Sequence, residues 1–491
     1  MSAPRPVVIG GGIAGLVAAW ELARAGRRPI LYEARGYLGG LIAGAPLPSS
    51  DHLTADQREA AAGIITDIGA ESYATRGGSV ANLLAELNLA SAPPRGSSWV
   101  LTTDGMALPI PQGILGIAGL DANCRPDKAL ATALGGSESA AYREALADLT
   151  MGGDVGQDCD DLASFVTARM GSTVLERLVR PVAGGIHSAA PETLAVDVVA
   201  PGLRAATKRC GSLQAAVSEL RQLPDPPPVV EQVVGGMHLL PEALQTAIVA
   251  HGGEIRTRTG VFGLRRCDAG FDIDTAPVTT RGPDLIRSGP TTSALARAVV
   301  IACSGPQAME LVAHICDYPT WQLPLGSPIA HLTVLVKSSQ LNFHPRGSGM
   351  LTTPGAPVGA KALTHMNAKW PWLDAELTAA FGPDWHLLRI SYGRHGEPYP
   401  QPDVTGAIRD INVMADLTLS PADVRAWRLI RWDGTLAPPT PDHRAQVRAL
   451  QTALTAIDGV ALTGAWVAGS GIAAVVAHAR RSATELEEVV K

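Results

Sequence analysis

The sequence predicts an α/β fold in which the two ends of the chain form one Rossmann-like domain. At the N-terminus a short apolar strand, Pro6 to Ile9, leads into a glycine-rich turn and an amphipathic helix. Near the other end, residues 460–466 predict a strand that glycines separate from a helix at 473–490. Between these units several stretches alternate apolar and polar residues, which predicts a second, mixed sheet. A chain of 491 residues is long enough for two or three domains.

The composition predicts a folded globular protein in a reducing compartment. Hydrophobic residues make up 46% and charged residues 18%, and the net charge of -6 gives no reason to expect a nucleic-acid partner. The six cysteines include no CxxC pair, which favours reduced thiols and a cytoplasmic location. The first apolar run is already the first strand, and no apolar stretch reaches the length of a membrane-spanning helix. We therefore expect neither a signal peptide nor a transmembrane segment.

The first glycine-rich turn matches the dinucleotide-binding fingerprint. Gly10, Gly12 and Gly15 follow the strand at GxGxxG spacing, and Glu33 follows the next predicted strand, Pro29 to Tyr32. Gly10 permits the tight turn, Gly12 lets backbone N–H groups approach a pyrophosphate, and Gly15 lets the helix pack close to the strand. The helix N-terminus supplies partial positive charge for phosphates, and Glu33 is placed to accept hydrogen bonds from ribose hydroxyls. Together these features predict a bound nucleotide.

A second glycine pair indicates which dinucleotide is bound. Gly39-Gly40 follows the ribose acid after a short turn, and this arrangement resembles the extended FAD motif of the amine oxidase superfamily. A nicotinamide site does not require this pair. The superfamily usually has an arginine two residues before the pair, where this chain has Tyr37, and we expect Arg35 to supply the charge instead.

The resemblance becomes specific to one enzyme family further along the chain. Motifs similar to those of the protoporphyrinogen/coproporphyrinogen oxidase family of haem biosynthesis occur at 67–73, 83–89, 107–111, 162–166, 169–171, 176–187, 361–364, 369–372, 388–394 and 431–432. The most family-like motif is ERLVRPVAGGIH at 176–187, which we expect to be a helix that ends at Pro181 and the Gly184-Gly185 turn. The resemblance covers most of the chain and is weaker at 44–62, 272–296 and 400–425.

The resemblance implies a discontinuous Rossmann-like FAD-binding domain, a mixed-sheet substrate domain and an inserted helical subdomain. The FAD-binding domain is assigned residues 1–75, 231–270, 297–305 and 441–491. The substrate domain is assigned residues 76–111, 206–230, 271–296 and 306–440, and the helical subdomain residues 112–205. In the family this subdomain roofs the active-site tunnel and touches the membrane. A plain structural subdomain and one in peripheral contact with a membrane both remain open.

Local patterns predict individual elements within these domains. Residues 44–62 are small and polar and predict a surface loop, and Asp104-Gly105 predicts a hairpin turn within 99–108. Helical spacing predicts helices at 79–87, 129–134, 140–149, 161–170 and 239–250. Strands are predicted at 63–71, 254–264, 298–303, 331–337, 349–353, 362–366 and 386–392.

The resemblance also implies which residues bind FAD. The Asp67-Ile68-Gly69 turn resembles the turn beside the isoalloxazine in this superfamily, with an ordinary hairpin turn as the alternative. Val261 is implied to contact adenine through its backbone, and the C-terminal glycines suit a flavin carbonyl at the positive end of a helix. The complete set is Gly10, Gly12, Ile13, Ala14, Gly15, Glu33, Ala34, Arg35, Gly39, Gly40, Leu41, Gly69, Ala70, Glu71, Ser72, Val261, Trp466, Ser470, Gly471 and Ile472.

The chemistry implied by the resemblance is flavin-dependent oxidation of a porphyrinogen. No HExxH, Cys–His ligand pair or GxSxG motif appears, so we expect neither a metal site nor a serine nucleophile. The family removes six electrons from its substrate, with oxygen as acceptor and hydrogen peroxide as product. Aromaticity of the product drives the reaction, and we assign no catalytic residue. The resemblance also allows transient contacts with other haem-pathway enzymes.

The number of substrate carboxylates separates the two branches of this family. Coproporphyrinogen III has four propionates and protoporphyrinogen IX has two, so the first needs more Arg or Lys partners. Segments expected to reach the pocket contain Arg76, Arg95, Arg204, Lys208, Arg209 and Lys369, with a solvated surface charge as the alternative for each. Of these, Arg95 and Lys369 are the predicted substrate-binding residues. Some family members have an arginine where this chain has Ser98, so that propionate partner does not carry over.

We expect coproporphyrinogen III as the substrate, with protoporphyrinogen IX as the first alternative. An amine oxidase and a carotenoid-type desaturase are alternatives with the same fold, and the 176–187 and 369–372 motifs argue against both. A non-catalytic protein that binds flavin or porphyrin is a further alternative. The replacements at Tyr37 and Ser98 keep that alternative open.

Overall fold

An eight-stranded sheet, here called the nucleotide sheet, contains the first strand of the chain. The computed structural model describes residues 4–121, 123–187, 189–222, 228–281, 284–319, 321–323, 326–344, 346–432, 440–469 and 471–490. The central strand Arg5–Ile9 pairs in parallel with Ile30–Tyr32 and Thr292–Ile301. The remaining strands are Glu254–Arg256 and Val460–Leu462, which are parallel to their neighbours, and Thr259–Cys267, Gly270–Arg281 and Asp284–Arg287, which are antiparallel.

Helices cover both faces of the nucleotide sheet. On one face Ile13–Arg24 packs with Leu239–Ala250 and Ile472–Val490 in a shared apolar core. On the other face the core contains side chains of Gly305–Ala313 and Pro441–Leu454. Burial on both faces explains why the central strands are continuous apolar runs. The prediction of an α/β fold is confirmed.

A second sheet of seven strands forms the other half of the molecule. Its strands, in spatial order, are Val424–Trp432, Ile329–Lys337, Trp385–Tyr392, Ala362–His365, Gly349–Thr352, Ser98–Leu101 and Ala107–Pro109. All neighbours are antiparallel except Gly349–Thr352 and Ser98–Leu101, which are parallel. One face buries an apolar core against helix Val404–Ala415. The opposite face carries Arg389 and is called here the inner face.

A helical region follows the strand Ala107–Pro109 in sequence and precedes the strand Val230–Val233. It packs around a core of its own. Its α-helices are Lys128–Ala133, Ala140–Ala147, Leu162–Met170, Ser172–Val174, Arg180–His187, Val196–Val199, Leu203–Cys210 and Leu213–Arg221, with a π-helical turn at Leu175–Val179. A buried ion pair stabilises it: Arg169 Nε lies 2.6 Å from Asp148 Oδ1, and both side chains are fully buried. Asp148 also accepts hydrogen bonds from the backbone N–H groups of Leu213 and Gln214.

Short elements connect these layers. Small sheets pair Gly44–Pro46 with Ile65–Asp67, Gly113–Ile114 with Ile117–Ala118, and Val230–Val233 with Tyr73–Ala74 and Ser91–Ala92. The remaining α-helices are Ala55–Gly63, Ser79–Glu86, Met366–Lys369, Pro371–Phe381 and Ala465–Ala468. Short 3-10 turns occur at Asp148–Thr150, Pro191–Thr193, Ser339–Leu341 and Pro421–Asp423. Among the described residues, none of the helices combines the length and apolar character that crossing a bilayer requires.

The loop predicted at 44–62 is wrong, because this segment contains the strand Gly44–Pro46 and most of the helix Ala55–Gly63. A capping box starts the helix: Gln57 N donates to Thr54 Oγ1 at 3.2 Å, and Thr54 N donates to Gln57 Oε1 at 3.0 Å. Ala61 is the buried residue of this helix, so the sequence shows no apolar period there.

The assignment of 271–296 to the substrate domain is also corrected. Gly270–Arg281 pairs with both Thr259–Cys267 and Thr292–Ile301, which places this stretch in the nucleotide sheet. The single strand predicted at 254–264 is divided into Glu254–Arg256 and the start of Thr259–Cys267. Alternation alone shows that a segment is a strand but does not show which sheet it joins.

The helix predicted to end at Pro181 continues to His187. The π-helical turn Leu175–Val179 comes just before the proline and shifts the hydrogen-bond register there. A widened turn of this kind relieves the contact between a proline ring and the preceding carbonyls, so the helix is not broken. A Cβ at Gly185 would lie 2.6 Å from Leu351 Cδ2, so a glycine here lets the helix approach the second sheet closely. We call the continuous helical segment 172–187 the roof helix.

Candidate functional site

The first glycine-rich turn packs tightly on its strand side and is open on the other. Gly10 has φ of 108°, and a Cβ there would lie 2.7 Å from the carbonyl oxygen of Ala302. A Cβ at Gly15 would overlap the Gly10 carbonyl oxygen, so the glycine is what allows this approach of helix and strand. A Cβ at Gly12 would meet no atom within 4 Å. The turn therefore leaves free space where the sequence predicts a pyrophosphate.

The helix that follows has an uncompensated N-terminus. Ile13 and Ala14 begin this helix, and Gly12 is its N-cap. Gly12 provides no side-chain hydrogen bond to the free N–H groups, and the first turn of the helix contains no acidic residue. The free N–H groups and the helix dipole make such an end favourable for an anion.

Glu33 lies against this turn. Its Oε2 accepts a hydrogen bond from Gly11 N at 2.7 Å, and its Oε1 accepts one from Arg35 N at 2.6 Å, with Ala34 between them in the chain. The strand that contains Val261 begins beside it, because Thr259 N donates to the Glu33 carbonyl oxygen at 2.9 Å. Val261 itself is 6% exposed and packs in the core on that side of the sheet.

The second glycine pair lies directly on the first turn. Gly39 N donates to the Gly11 carbonyl oxygen at 2.8 Å, and a Cβ at Gly40 would lie 3.3 Å from Gly12 Cα. The two glycine runs are therefore neighbours, as the predicted motif requires. The side chain of Tyr37 is 43% exposed.

Arg258 is a cation at this turn that the sequence analysis missed. Its guanidinium nitrogens lie 3.2 Å from the position that a Cβ at Gly36 would occupy, and its backbone N–H donates to the Arg35 carbonyl oxygen. Arg258 is distant in sequence from the turn, and no pattern in the sequence links the two.

The segment 67–72 joins the glycine pair to the second sheet. Ala70 N donates to the Leu41 carbonyl oxygen at 2.8 Å, and a Cβ at Gly69 would overlap that same oxygen. On the other side, Arg389 Nη1 donates to the Gly69 carbonyl oxygen at 3.0 Å, and Trp432 Nε1 donates to that of Ile68 at 3.1 Å. The backbone of this segment is thus held from both halves of the molecule.

Glu71 is the buried centre of an ion-pair cluster at this boundary. Its carboxylate pairs with Lys369 Nζ at 2.5 Å and with the guanidinium of Arg389, and it accepts a hydrogen bond from Trp370 Nε1 at 3.3 Å. Burial by itself would raise the pKa of Glu71, but the charges of Lys369 and Arg389 and the hydrogen bonds outweigh it and lower this pKa to about 2. Glu71 is therefore ionised throughout the physiological range, and Ser72 follows it in the chain.

The two predicted substrate-binding residues are neighbours. Arg95 N donates to the Lys369 carbonyl oxygen at 2.8 Å, and the side chain of Arg95 is exposed. The ammonium group of Lys369 is engaged by Glu71, and its contact with a substrate stays a prediction. Arg389 was not predicted, although an arginine within the strand predicted at 386–392 was a signal available in the sequence; the structure shows that all eight residues of this strand are buried.

Two half-buried histidines lie on the inner face and on the helix that packs against it. His331 pairs across the sheet with Ser391, and His331 Nδ1 lies 2.9 Å from Ser391 Oγ. Burial, with the nearby charges of Arg389 and Lys361, lowers the pKa of His331 well below its usual value. His187 ends the roof helix, and burial lowers its pKa to about 4. Both imidazoles are therefore neutral near pH 7.

The C-terminal residues approach the glycine-rich turn from the end of the chain. Ile472 begins the last helix directly after Gly471, whereas Ser470 lies outside the described residues. The ring of Trp466 packs against Gly305, and His443 Nε2 donates to the Trp466 carbonyl oxygen at 2.7 Å. Thr463 N donates to the carbonyl oxygen of Ile301, the last residue of strand Thr292–Ile301, and the next residue, Ala302, contacts Gly10.

The assembled residues fit an extended flavin dinucleotide. The open space at Gly12, the uncompensated helix end and Glu33 lie together, and the glycine pair continues toward the 67–72 segment. Within the described part of the chain, no three His, Cys, Asp or Glu side chains are grouped to hold a metal ion.

Comparison with known proteins points to one family. The profile of the family described as flavin containing amine oxidoreductase matches residues 13–334. The chain is 27% identical over 512 aligned residues to a coproporphyrinogen III oxidase of Mycobacterium tuberculosis, covering 98% of this chain and 97% of that protein. It is 25% identical to a coproporphyrinogen III oxidase of Mycobacterium leprae, with 98% of each chain covered.

Solved structures show the same fold. A crystal structure from Exiguobacterium, provisionally assigned as a protoporphyrinogen oxidase, superposes with a TM-score of 0.76 at 22% identity and covers 99% of both chains. Cyclohexylamine oxidase from Brevibacterium oxydans superposes with a TM-score of 0.62 at 14% identity over the whole of both chains. The predicted resemblance to porphyrinogen oxidases is confirmed by these relatives. Because the family profile matches about two thirds of its length, the chain belongs to the flavin-containing amine oxidoreductases.

Proposed function

We propose that this protein is an FAD-dependent oxidase that converts coproporphyrinogen III to coproporphyrin III in haem biosynthesis. Molecular oxygen is the electron acceptor and hydrogen peroxide the second product. The observation that carries the proposal is similarity along almost the whole chain to coproporphyrinogen III oxidases of three mycobacterial species. The reaction takes place in the cytoplasm.

FAD is held by the residues that line the space from the first glycine-rich turn to the 67–72 segment. The N-terminus of helix Ile13–Arg24 and the open side of Gly12 receive the pyrophosphate, and Glu33 receives the ribose. Arg258 supplies positive charge beside the turn, in place of the superfamily arginine replaced by Tyr37. When bound, the flavin supplies the two-electron oxidation chemistry, and the protein supplies position and electrostatics.

The Glu71 cluster positions the flavin-facing backbone. Lys369 and Arg389 are cations beneath a site that receives an anionic substrate, and Glu71 neutralises part of their charge. Arg389 at the same time fixes the Gly69 carbonyl, so the inner face of the second sheet and the 67–72 segment keep a fixed separation. Arg95, which is exposed beside Lys369, is the remaining candidate for a substrate carboxylate at the mouth of the site.

Protoporphyrinogen IX is the second candidate substrate. The similarity to the Exiguobacterium structure favours it, because that protein is assigned to protoporphyrinogen. The curated relatives that match this chain favour the substrate with four propionates.

The test is turnover by the purified, FAD-loaded protein with each porphyrinogen in air, against a control without enzyme for autoxidation. Six electrons leave the substrate in pairs, so we expect three oxygen molecules consumed and three peroxide molecules formed per coproporphyrin III. Faster oxidation of protoporphyrinogen IX would select the second candidate. A flavin-loaded protein that accelerates neither reaction would refute the proposal and favour a non-catalytic binding protein or another oxidase substrate.

A further inference from the structure

A row of side chains crosses the inner face of the second sheet and stays partly open. Its central residue is His331, which pairs with Ser391 on one neighbouring strand and with Ile430 on the other. The row consists of Ile430, His331, Ser391, Ala362 and Leu351, and all of these except Ser391 are partly exposed. The alternate residues of the same strands pack instead in the core beneath helix Val404–Ala415. His331 and Ser391 are the polar members of this open row.

His331 lies below the turn that the sequence predicts beside the isoalloxazine. Arg389 and Trp432 lie on the two strands that flank the His331 strand, and both are diagonal neighbours of the histidine on the same face. Such neighbours lie ~7–8 Å apart. Arg389 donates to the Gly69 carbonyl oxygen and Trp432 to that of Ile68. His331 therefore stands between the two side chains that hold this turn.

One ring nitrogen of His331 is held, and the other is available. Nδ1 lies 2.9 Å from Ser391 Oγ, and Ser391 is 7% exposed. When Nδ1 donates its proton to this hydroxyl, the lone pair of the neutral ring is on Nε2. Nε2 has no hydrogen-bond partner in the described part of the chain, and the imidazole is half-buried. This nitrogen can therefore accept a hydrogen bond from a ligand on the inner face.

The surroundings of His331 favour its neutral form. Burial is the largest cause of its lowered pKa, the cations Arg389 and Lys361 add to this effect, and the Glu71 carboxylate opposes them. The neighbour on the remaining side, Ile430, carries no charge. A neutral imidazole is ready to accept a proton, and the nearby cations favour the release of that proton to water afterwards.

We propose that His331 Nε2 accepts the pyrrole N–H proton of the porphyrinogen during its oxidation, and that Ser391 positions the imidazole for this transfer. The inference rests on the proposed function and assigns a proton acceptor within the same site. The contact with Ser391 makes Nε2 the accepting nitrogen, because it occupies Nδ1.

The atoms and electrons of such a two-electron step balance. A C–H bond of a methylene bridge breaks, and the hydrogen leaves with the electron pair as hydride to the flavin oxidant. The macrocycle is then cationic, which makes the N–H of the adjacent pyrrole acidic enough for a weak base. This N–H bond breaks, its electron pair stays on the macrocycle as a C=N bond, and the proton passes to Nε2. The imidazolium returns the proton to water before the next step.

The first experiment tests whether a bound porphyrin covers His331. The FAD-loaded wild type is treated with diethyl pyrocarbonate, which acylates neutral imidazoles, and the modified residues are identified by mass spectrometry. Coproporphyrin III at about ten times its Kd should slow the modification of His331 about tenfold. His314, which is exposed at the end of helix Gly305–Ala313, should react at the same rate with and without porphyrin. A His331 that reacts equally in both samples, or in neither, would overturn the proposal.

The second experiment separates proton transfer from binding. General bases typically contribute about a hundredfold or more to a rate, so His331→Gln should lower kcat about a hundredfold and leave KM and the affinity for coproporphyrin III unchanged. Ser391→Ala should lower kcat about tenfold, the equivalent of one hydrogen bond, whereas Ser391→Thr keeps the hydroxyl and should behave like the wild type. His314→Gln is the matched control and should have the kcat of the wild type.

The outcomes distinguish this inference from the proposed function. A wild type that oxidises coproporphyrinogen III while His331→Gln keeps its kcat refutes the role of His331 alone. A His331→Gln protein that loses flavin or porphyrin affinity together with kcat has lost structure, and that result also overturns the proposal. A flavin-loaded wild type that oxidises neither porphyrinogen refutes both the proposed function and the proton acceptor.

Discussion

Replacing Glu71 with glutamine should destabilise the protein because it leaves two cations without their carboxylate. Glu71 is 7% exposed and pairs with both Lys369 and Arg389. Its usual pKa of 4.5 is lowered to about 2 in the folded protein. That difference corresponds to ~3 kcal/mol of unfolding free energy at neutral pH. The value agrees with the ~3–5 kcal/mol that the loss of one partner costs in a buried pair.

The pH dependence follows from the direction of the shift. A carboxylate whose folded pKa is lowered contributes stability above its unfolded pKa and loses it as pH falls through the folded value. For Glu71 this window runs from 4.5 down to about 2. The wild type should therefore lose its advantage over Glu71→Gln as pH falls below 4.5, and the two should have similar stability near pH 2.

The assay is denaturant unfolding of wild type and Glu71→Gln at pH 7 and at steps down through the acid range, followed by tryptophan fluorescence. Glu219→Gln is the control, because Glu219 forms a surface ion pair with Arg209 and should change stability little at any pH. A Glu71→Gln protein within ~1 kcal/mol of the wild type at pH 7 would refute the argument, since its cluster would then contribute no more than a surface pair.

Three further outcomes are expected. Gly15→Ala should lower the free energy of unfolding by ~1–3 kcal/mol through overpacking and yield protein without flavin. Gly12→Ala, whose Cβ meets no protein atom within 4 Å, should keep its stability and lose only flavin affinity. Equal melting temperatures of the two apoproteins would contradict this. Arg169→Met should lower the unfolding free energy by ~3–5 kcal/mol because it leaves Asp148 buried without its partner, and normal denaturant stability would exclude that role. Arg258→Gln should lower the affinity for FAD about fivefold in a flavin titration, which corresponds to ~1 kcal/mol for an exposed cation. An unchanged affinity would mean that another cation compensates the phosphates at this turn.

The parts of the site that could be predicted are those that depend on nearby residues. The first turn is determined by glycines within six positions of one another, and its backbone conformation follows from the absence of a Cβ at Gly10 and Gly15. The second glycine pair follows one helix and one short strand, and it lies against the first turn because that strand, Ile30–Tyr32, pairs beside Arg5–Ile9 and returns the chain to the same edge.

The parts that could not be predicted depend on pairs that are distant in sequence. Glu71 is 298 positions from Lys369 and 318 from Arg389, and a charge in a sequence does not show which opposite charge it meets. For this reason Lys369 was expected to bind a substrate carboxylate, whereas its ammonium group pairs with a carboxylate of the protein itself. The helix Ala55–Gly63 was missed for a different reason, because its capping residues and not an apolar stripe define it.

The 67–71 segment connects the two halves of the molecule through two carboxylates that bind in opposite directions. Asp67 accepts hydrogen bonds from Met237 N and His238 N, at the start of the helix Leu239–Ala250 in the nucleotide half. Glu71, four residues later, binds Lys369 and Arg389 in the other half. The position of the predicted flavin-facing turn is therefore set by both halves at once. We therefore expect a substitution on the inner face of the second sheet to alter flavin binding without touching the nucleotide sheet, because the proposed substrate site and the proposed flavin site are held by one set of contacts.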